Sequence, residues 1–225
     1  MTIVTRFFNS TLGKKYIMAA SGLVWVGFVF AHMLGNLLIF VGADAYNSYG
    51  HALTSGKIIF VAEAALILSL LAHVVNGLQL TLQNRRAKGS NYAVTAKGLK
   101  KASLASRTMA PQGALILAFV ISHLATFKFG TVYQTTVDGV AMRDLFRLMI
   151  EVFQQPGYVA WYVVCLLLLG FHLSHGVGSL FQSLGLKNDL TAPSIQRISK
   201  IYAWVVAAGF LAQPLYVFFI HGQGQ

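Results

Sequence analysis

Hydrophobic and polar positions separate into long blocks along this chain instead of alternating at short range. The longest block, Gly157–Leu184, runs 28 residues without an Asp, Glu, Lys or Arg. A bilayer crossing takes roughly 20 apolar residues at about 1.5 Å each, so this block crosses with length to spare. Four more blocks share its character, at about residues 17–41, 57–82, 109–127 and 201–221. The pattern predicts an all-α membrane protein of five transmembrane helices, forming a single domain over residues 1–225.

The connections carry their own patterns. Residues 1–16 set Arg6, Lys14 and Lys15 beside Phe7, Phe8 and Leu12, as in a short helix lying at the membrane surface. The segment Gly42–Gly56 reads as a loop. Over residues 142–154, Met142, Leu145, Phe146, Met149, Ile150 and Phe153 recur at helical spacing, and Arg143, Asp144, Arg147 and Glu151 take the opposite face. That spacing predicts an amphipathic surface helix, stopped by Pro156.

Composition agrees with the blocks. The chain is 56% hydrophobic and 10% charged, against about 25% charged in ordinary globular domains. Its formal charge of +11 is unevenly placed. Thirteen of the 17 basic residues fall in the N-terminal segment and in the second–third and fourth–fifth connections. By the positive-inside rule these sides are cytoplasmic, which places the N-terminus inside and the C-terminus outside. Topology thus accounts for the basic excess. No basic helix interleaved with base-stacking aromatics is present, so nucleic acid is not expected as a partner. Cys165 is the single cysteine, which excludes disulfides, thiolate-held clusters and a Cys-x-x-Cys-His haem attachment. The amphipathic start is not followed by a small-residue cleavage site, so no removable signal peptide is read.

Four of the blocks hold deep histidines: His32, His73, His123, and the pair His172 and His175. An ionisable ring at such depth marks a functional site by default, although a lone one more often hydrogen-bonds between helices. Depth can be counted from the basic edge. His32 lies 17 residues past Lys15 and His123 lies 16 past Arg107, both roughly 24–25 Å from that edge. His73 lies 12 residues before Arg85, roughly 18 Å from it. Four spans therefore offer an outer pair, His32 with His123, and an inner histidine, His73, whose partner comes from the fourth span. His175 matches the depth of His73, 12 residues before Lys187, whereas His172 stands 15 before it. Yet His73 and His172 share the spacing His-x-x-x-Gly, with Gly77 and Gly176 one turn on and on the same face. We read His172 as the ligand on that spacing, with His175, Gly35, Gly77 and Gly176 at the edge of a flat macrocycle. Imidazoles paired across a bundle suit haem iron, whereas zinc needs three or four ligands at one level.

HMLGNLLIF, HVVNGLQL, SHLATFKFG and FHLSHGVGSLFQSLGL, in the first four spans, resemble the single-chain, five-helix, di-haem cytochrome b anchor of succinate dehydrogenases and fumarate reductases. The resemblance runs from Lys14 to about Ala203. It implies that the first four spans form a haem-binding bundle with two b haems. His32 and His123 would ligate the outer haem iron, and His73 and His172 the inner. It also implies a quinone substrate, menaquinone, in the lipid of a bacterial inner membrane. A flavoprotein with FAD and an iron–sulfur subunit would dock on the cytoplasmic face. Succinate or fumarate chemistry would reside in those partners, since this chain has neither a Gly-rich dinucleotide turn nor cysteine clusters.

Other polar residues have two readings each. Glu63 is the one acid within a predicted span. It fits either a proton-accepting role at a quinol or a simple reach to the interface. Lys14, Arg85, Arg86, Arg197 and Lys200 could meet inner haem propionates, but topology alone explains them. Ser21, Ser69, Ser122 and Ser174 read as packing hydroxyls, and Trp25, Trp161 and Trp204 as packing or interfacial anchors. Competing functions are the cytochrome b of a hydrogenase or formate dehydrogenase, and a haem-free transporter with a histidine proton relay.

Overall fold

The computed structural model describes residues 2–88 and 104–221. Lys97, Lys100 and Lys101 of the basic second–third connection lie outside the described residues. Among the described residues, five helices are long and apolar enough to cross a membrane. They are α2 (Thr11–Asn36, continued by a tighter turn Leu37–Phe40), α4 (Ile58–Lys88), α6 (Met109–His123), α8 (Pro156–Ser183) and α9 (Ala192–Phe219). A π-helical turn, Leu124–Lys128, extends α6 beyond His123. The short helices α1 (Ile3–Asn9) and α5 (Leu104–Arg107) lie at the end of the bundle that carries the basic connections. At the opposite end, α3 (Ala43–Thr54), strands β1 (Gln134–Val137) and β2 (Val140–Arg143), and α7 (Leu145–Phe153) build a cap.

Local chemistry sets the boundaries. Ser10 ends α1 and begins α2: its hydroxyl donates to Phe7 O at 2.6 Å and accepts from Gly13 N at 2.9 Å. A Cβ at residue 13 would collide with the Phe7 carbonyl, so glycine allows this tight reversal. Helix α8 ends in a Schellman motif at Gly185, φ 75°, with Leu186 N donating to Phe181 O and Gly185 N to Gln182 O. Beyond it α9 returns antiparallel along α8. Small residues let the two backbones close: a Cβ at Gly170 would stand 3.0 Å from the Trp204 ring, and Ala203, Val206 and Ala207 are fully buried. Tyr202 ties α9 to α2 by donating to Val26 O. Helix α4 sits at the flank, packed chiefly against α2, with Ile67, Leu68 and Leu71 facing outward.

The cap departs from the sequence pattern in two places. Gly42–Gly56 holds a helix, α3, where a loop is expected. The predicted surface helix over residues 142–154 is shorter, because Met142 and Arg143 belong to β2. The strands pair Val137 with Val140 around Asp138-Gly139, both at positive φ (49° and 78°). This two-residue Asp-Gly turn favours a hairpin, whose twist it matches. Asp144 caps α7 by accepting from Arg147 N at 3.0 Å. The apolar side of α7 packs onto the bundle, with Leu148, Met149, Ile150, Val152 and Phe153 all buried. Outside it, Arg147 stacks over Tyr133 at 4.0 Å, and hydrogen bonds from Tyr133 and Arg147 hold the Glu151 carboxyl below its ordinary pKa.

One buried amide joins the cap's parts. Asn47, 2% exposed, donates to Asp144 Oδ1 at 2.8 Å and accepts from Phe146 N at 2.9 Å. Asn47→Ala strands the Phe146 N–H and leaves Asp144 Oδ1 with Arg147 N alone, at a cost of roughly 1–3 kcal/mol for a buried group left unmet. The variant should unfold at lower temperature in detergent, and protease should cut the β1–β2 hairpin faster than in the parent.

Candidate functional site

Two histidine pairs stand in the bundle core. His32, on α2, faces His123, the last residue of α6, with ring centroids 5.8 Å apart and planes at 83°. His73, on α4, faces His172, on α8, at 6.4 Å and 61°. The structure thus brings together the residues of both expected pairs. His175 joins neither ring pair.

The surroundings of each ring differ. His32 stacks on Phe28, centroids 5.3 Å apart and planes 12° from parallel. The Asn36 amide nitrogen lies 3.3 Å from His32 Nδ1 and donates to the His32 carbonyl at 2.8 Å, while Tyr46 donates to Asn36 Oδ1 at 2.7 Å. His123 Nδ1 lies 3.2 Å from the Tyr162 hydroxyl, and Trp161 on the same helix donates to Ser122 Oγ at 3.0 Å. His73 Nδ1 lies 3.2 Å from Ser21 Oγ. Ser21 Oγ also donates to a carbonyl of its own helix, Ile17 O at 2.7 Å; with its proton there, the hydroxyl is an acceptor for a His73 Nδ1–H, the tautomer that leaves Nε2 a lone pair. His172 Nδ1 is buried with no hydrogen-bond partner among the described residues.

Donor geometry decides what the pairs can hold. Two metal–imidazole bonds of about 2 Å plus two ring radii sum to roughly 6 Å between centroids. Both pairs meet that separation. Among the described residues no three His, Cys, Asp or Glu side chains converge. Donors arriving in twos fit a metal whose remaining ligands come with it, as in haem, better than tetrahedral zinc. Glycines leave room beside the inner pair: a Cβ at Gly22 would lie 3.5 Å from His73 Cε1, and one at Gly113 3.8 Å from His172 Cε1. Of the glycines expected at a macrocycle edge, Gly35 makes room for the Tyr49 ring and Gly77 faces Met18. Gly176 has open space beside it.

Glu63 lies near the capped end and is bridged to Lys128, at the close of the π turn; both are more than a third exposed. Ser21 had been expected only to pack. Tyr162 and Gly113 carried no signal, because each acts on a histidine distant in sequence; Asn36 stands one helical turn after His32, a spacing that was readable, and Tyr46 acts through it.

No protein-family model matches the chain, and no solved structure does. It is similar to the succinate dehydrogenase cytochrome b558 subunit of Bacillus subtilis (strain 168), with 25% identity over 187 residues, 82% of this chain and 84% of that one. That relative is of the kind the histidine motifs resemble.

The spaces at Gly22 and Gly113 set a size limit. Alanine at either position meets its histidine at ordinary contact distance and should leave the thermal stability in detergent near the parent's. Gly22→Leu or Gly113→Leu should drive the ring aside and lower the unfolding temperature by several degrees.

Proposed function

We propose that this chain is the di-haem cytochrome b subunit of a succinate dehydrogenase or fumarate reductase. It anchors the flavoprotein and iron–sulfur subunits to the membrane and carries electrons between them and quinone. The observation that carries this reading is the meeting of four deep histidines as two facing pairs, at 5.8 and 6.4 Å. The relative's name supports it. A proton relay would string its histidines along a path, whereas these rings meet two by two.

His32 and His123 would hold the haem nearer the cap, His73 and His172 the one nearer the basic end. When bound, each haem supplies a one-electron carrier within the hydrocarbon. The chain's part is to present neutral imidazoles at fixed angles and keep water away. Ser21 does the first for His73, accepting from Nδ1–H and so leaving Nε2 as the nitrogen that would bind iron. Tyr162, 5% exposed, stands against His123 in the same way and brings Phe119, Phe127 and Phe153 around it. On the basic end, taken as cytoplasmic, Arg85, Arg86, Arg197 and Lys200 face the soluble subunits. At the other end the Glu63 carboxylate, held by Lys128, is placed to accept a proton from quinol.

The first test is stoichiometry. Haem extraction should return two b haems per chain, and succinate added to the intact complex should raise the sharp reduced b-type band. A yield of one or none per chain overturns the proposal.

The second test is assignment. His32→Ala and His123→Ala should each abolish the same spectral component, and His73→Ala and His172→Ala the other. His175→Ala should retain both. If His175→Ala removes the inner component and His172→Ala spares it, His175 is the ligand.

A further inference from the structure

Three of the four paired imidazoles have a polar side chain set against the ring: Ser21 at His73, Tyr162 at His123 and Asn36 at His32. Asn36 differs from the other two in being held from beyond the spans. It stands one turn after His32 on α2 and donates from its amide nitrogen to the His32 carbonyl at 2.8 Å. The same nitrogen lies 3.3 Å from His32 Nδ1 and 3.5 Å from Nε2, against the ring and nearest Nδ1. Phe28, one turn before His32, stacks within 12° of parallel to it, and Phe210 of α9 borders it at 5.8 Å between centroids. Neighbours on these sides hold the imidazole against rotation, with its plane at 83° to that of His123.

An amide can turn end for end, so two bonds are needed to fix which way it faces. One is the bond to the His32 carbonyl, and Tyr46 supplies the other by donating from its hydroxyl to Asn36 Oδ1 at 2.7 Å. Oxygen thus faces the cap and nitrogen faces the ring. Tyr46 is 9% exposed and belongs to α3, and its ring meets that of Phe146 on α7 at 71°. The next residue, Asn47, bonds Asp144 Oδ1 and Phe146 N. Two adjacent residues of α3 therefore grip α7 and its entry on one side and the support of His32 on the other. The inner pair has no such link: His73 leans on Ser21 of a neighbouring span, and His172 Nδ1 has no partner among the described residues. We propose that the cap sets the ring plane of His32, with Tyr46 and Asn36 as positioning residues, so that the outer pair answers to the cap and the inner pair does not. This rests on the haem reading above and adds a control of one site to it. The orientation of axial imidazoles and the bonds around them tune a bound haem iron. A change on the cap's outward face is therefore felt at one site of the two.

The test uses the intact haem-loaded complex, with outer and inner low-spin signals separated by electron paramagnetic resonance and redox titration. His32→Ala and His73→Ala assign the two signals. Tyr46→Phe, which removes one hydroxyl, should keep both haems and shift the outer g-max and midpoint potential by more than the linewidth and the titration error. The inner values should stay in place. Asn36→Ala should shift the outer values at least as far, and the double variant no further than Asn36→Ala alone, because Tyr46 acts through Asn36. Asn47→Ala, which loosens the cap and touches neither histidine, should also move the outer values only. A second readout needs no haem. In the haem-free full chain with isotope-labelled histidine, the His32 ring resonance should be sharp in the parent and broadened by Tyr46→Phe. Outer values unmoved by Tyr46→Phe or by Asn47→Ala, inner values moved as far as the outer, or additive shifts in the double variant overturn the proposal. A parent without b-type haem sinks the cytochrome reading by itself. The His32 resonance then decides the positioning, and one left unchanged by Tyr46→Phe overturns that as well.

Discussion

Inside hydrocarbon a polar group has no water to fall back on, and most deep polar groups of this fold meet that constraint with a partner. Four imidazoles are held in an apolar bundle, and each finds another imidazole across a gap the width of a metal and its two bonds. Around them hydroxyls, a phenol and an amide take up most of the remaining nitrogen valence. The helices must then bend their packing to these partners. Glycines lie where a ring needs space, α8 and α9 close through small residues, and α4 stays at the flank with one histidine turned inward.

The cap follows from the same rule at the water's edge. At the bundle's far end α3 packs on α2 and the tight turn that continues it, α7 packs on the π turn beyond His123, and the hairpin rests on α3. Asn47 draws this lid together from within, and the Tyr46 hydroxyl reaches through it to the amide beside His32. Lid and outer pair are thereby one hydrogen-bonded unit.

What the sequence makes legible is what one segment decides alone. Block length fixed the five spans, and charge-free depth singled out the histidines. Counting along helices put His32 level with His123, because a straight helix keeps register over twenty residues. On the fourth span the same count favours His175, whereas the ring that faces His73 is that of His172. The count carries no rotation, and the His-x-x-x-Gly spacing does. The Asp-Gly turn between β-branched residues was a readable hairpin signal, masked by the stronger helical spacing that follows it. Tyr162 and Gly113 were out of reach, since their importance lies in the histidines that stand opposite them.

The two pairs interleave: the first span meets the third, and the second meets the fourth. During synthesis, therefore, no adjacent hairpin of helices makes a complete site. A chain paused after its second span holds two unmatched imidazoles in lipid, and one paused after its third has closed a single pair. Only when α8 arrives does His73 find its counterpart, and the same stretch brings the Tyr162 that abuts His123. Pairing of the imidazoles is thus completed only by the fourth span, and a shorter chain is marked by the polar groups it leaves unmatched.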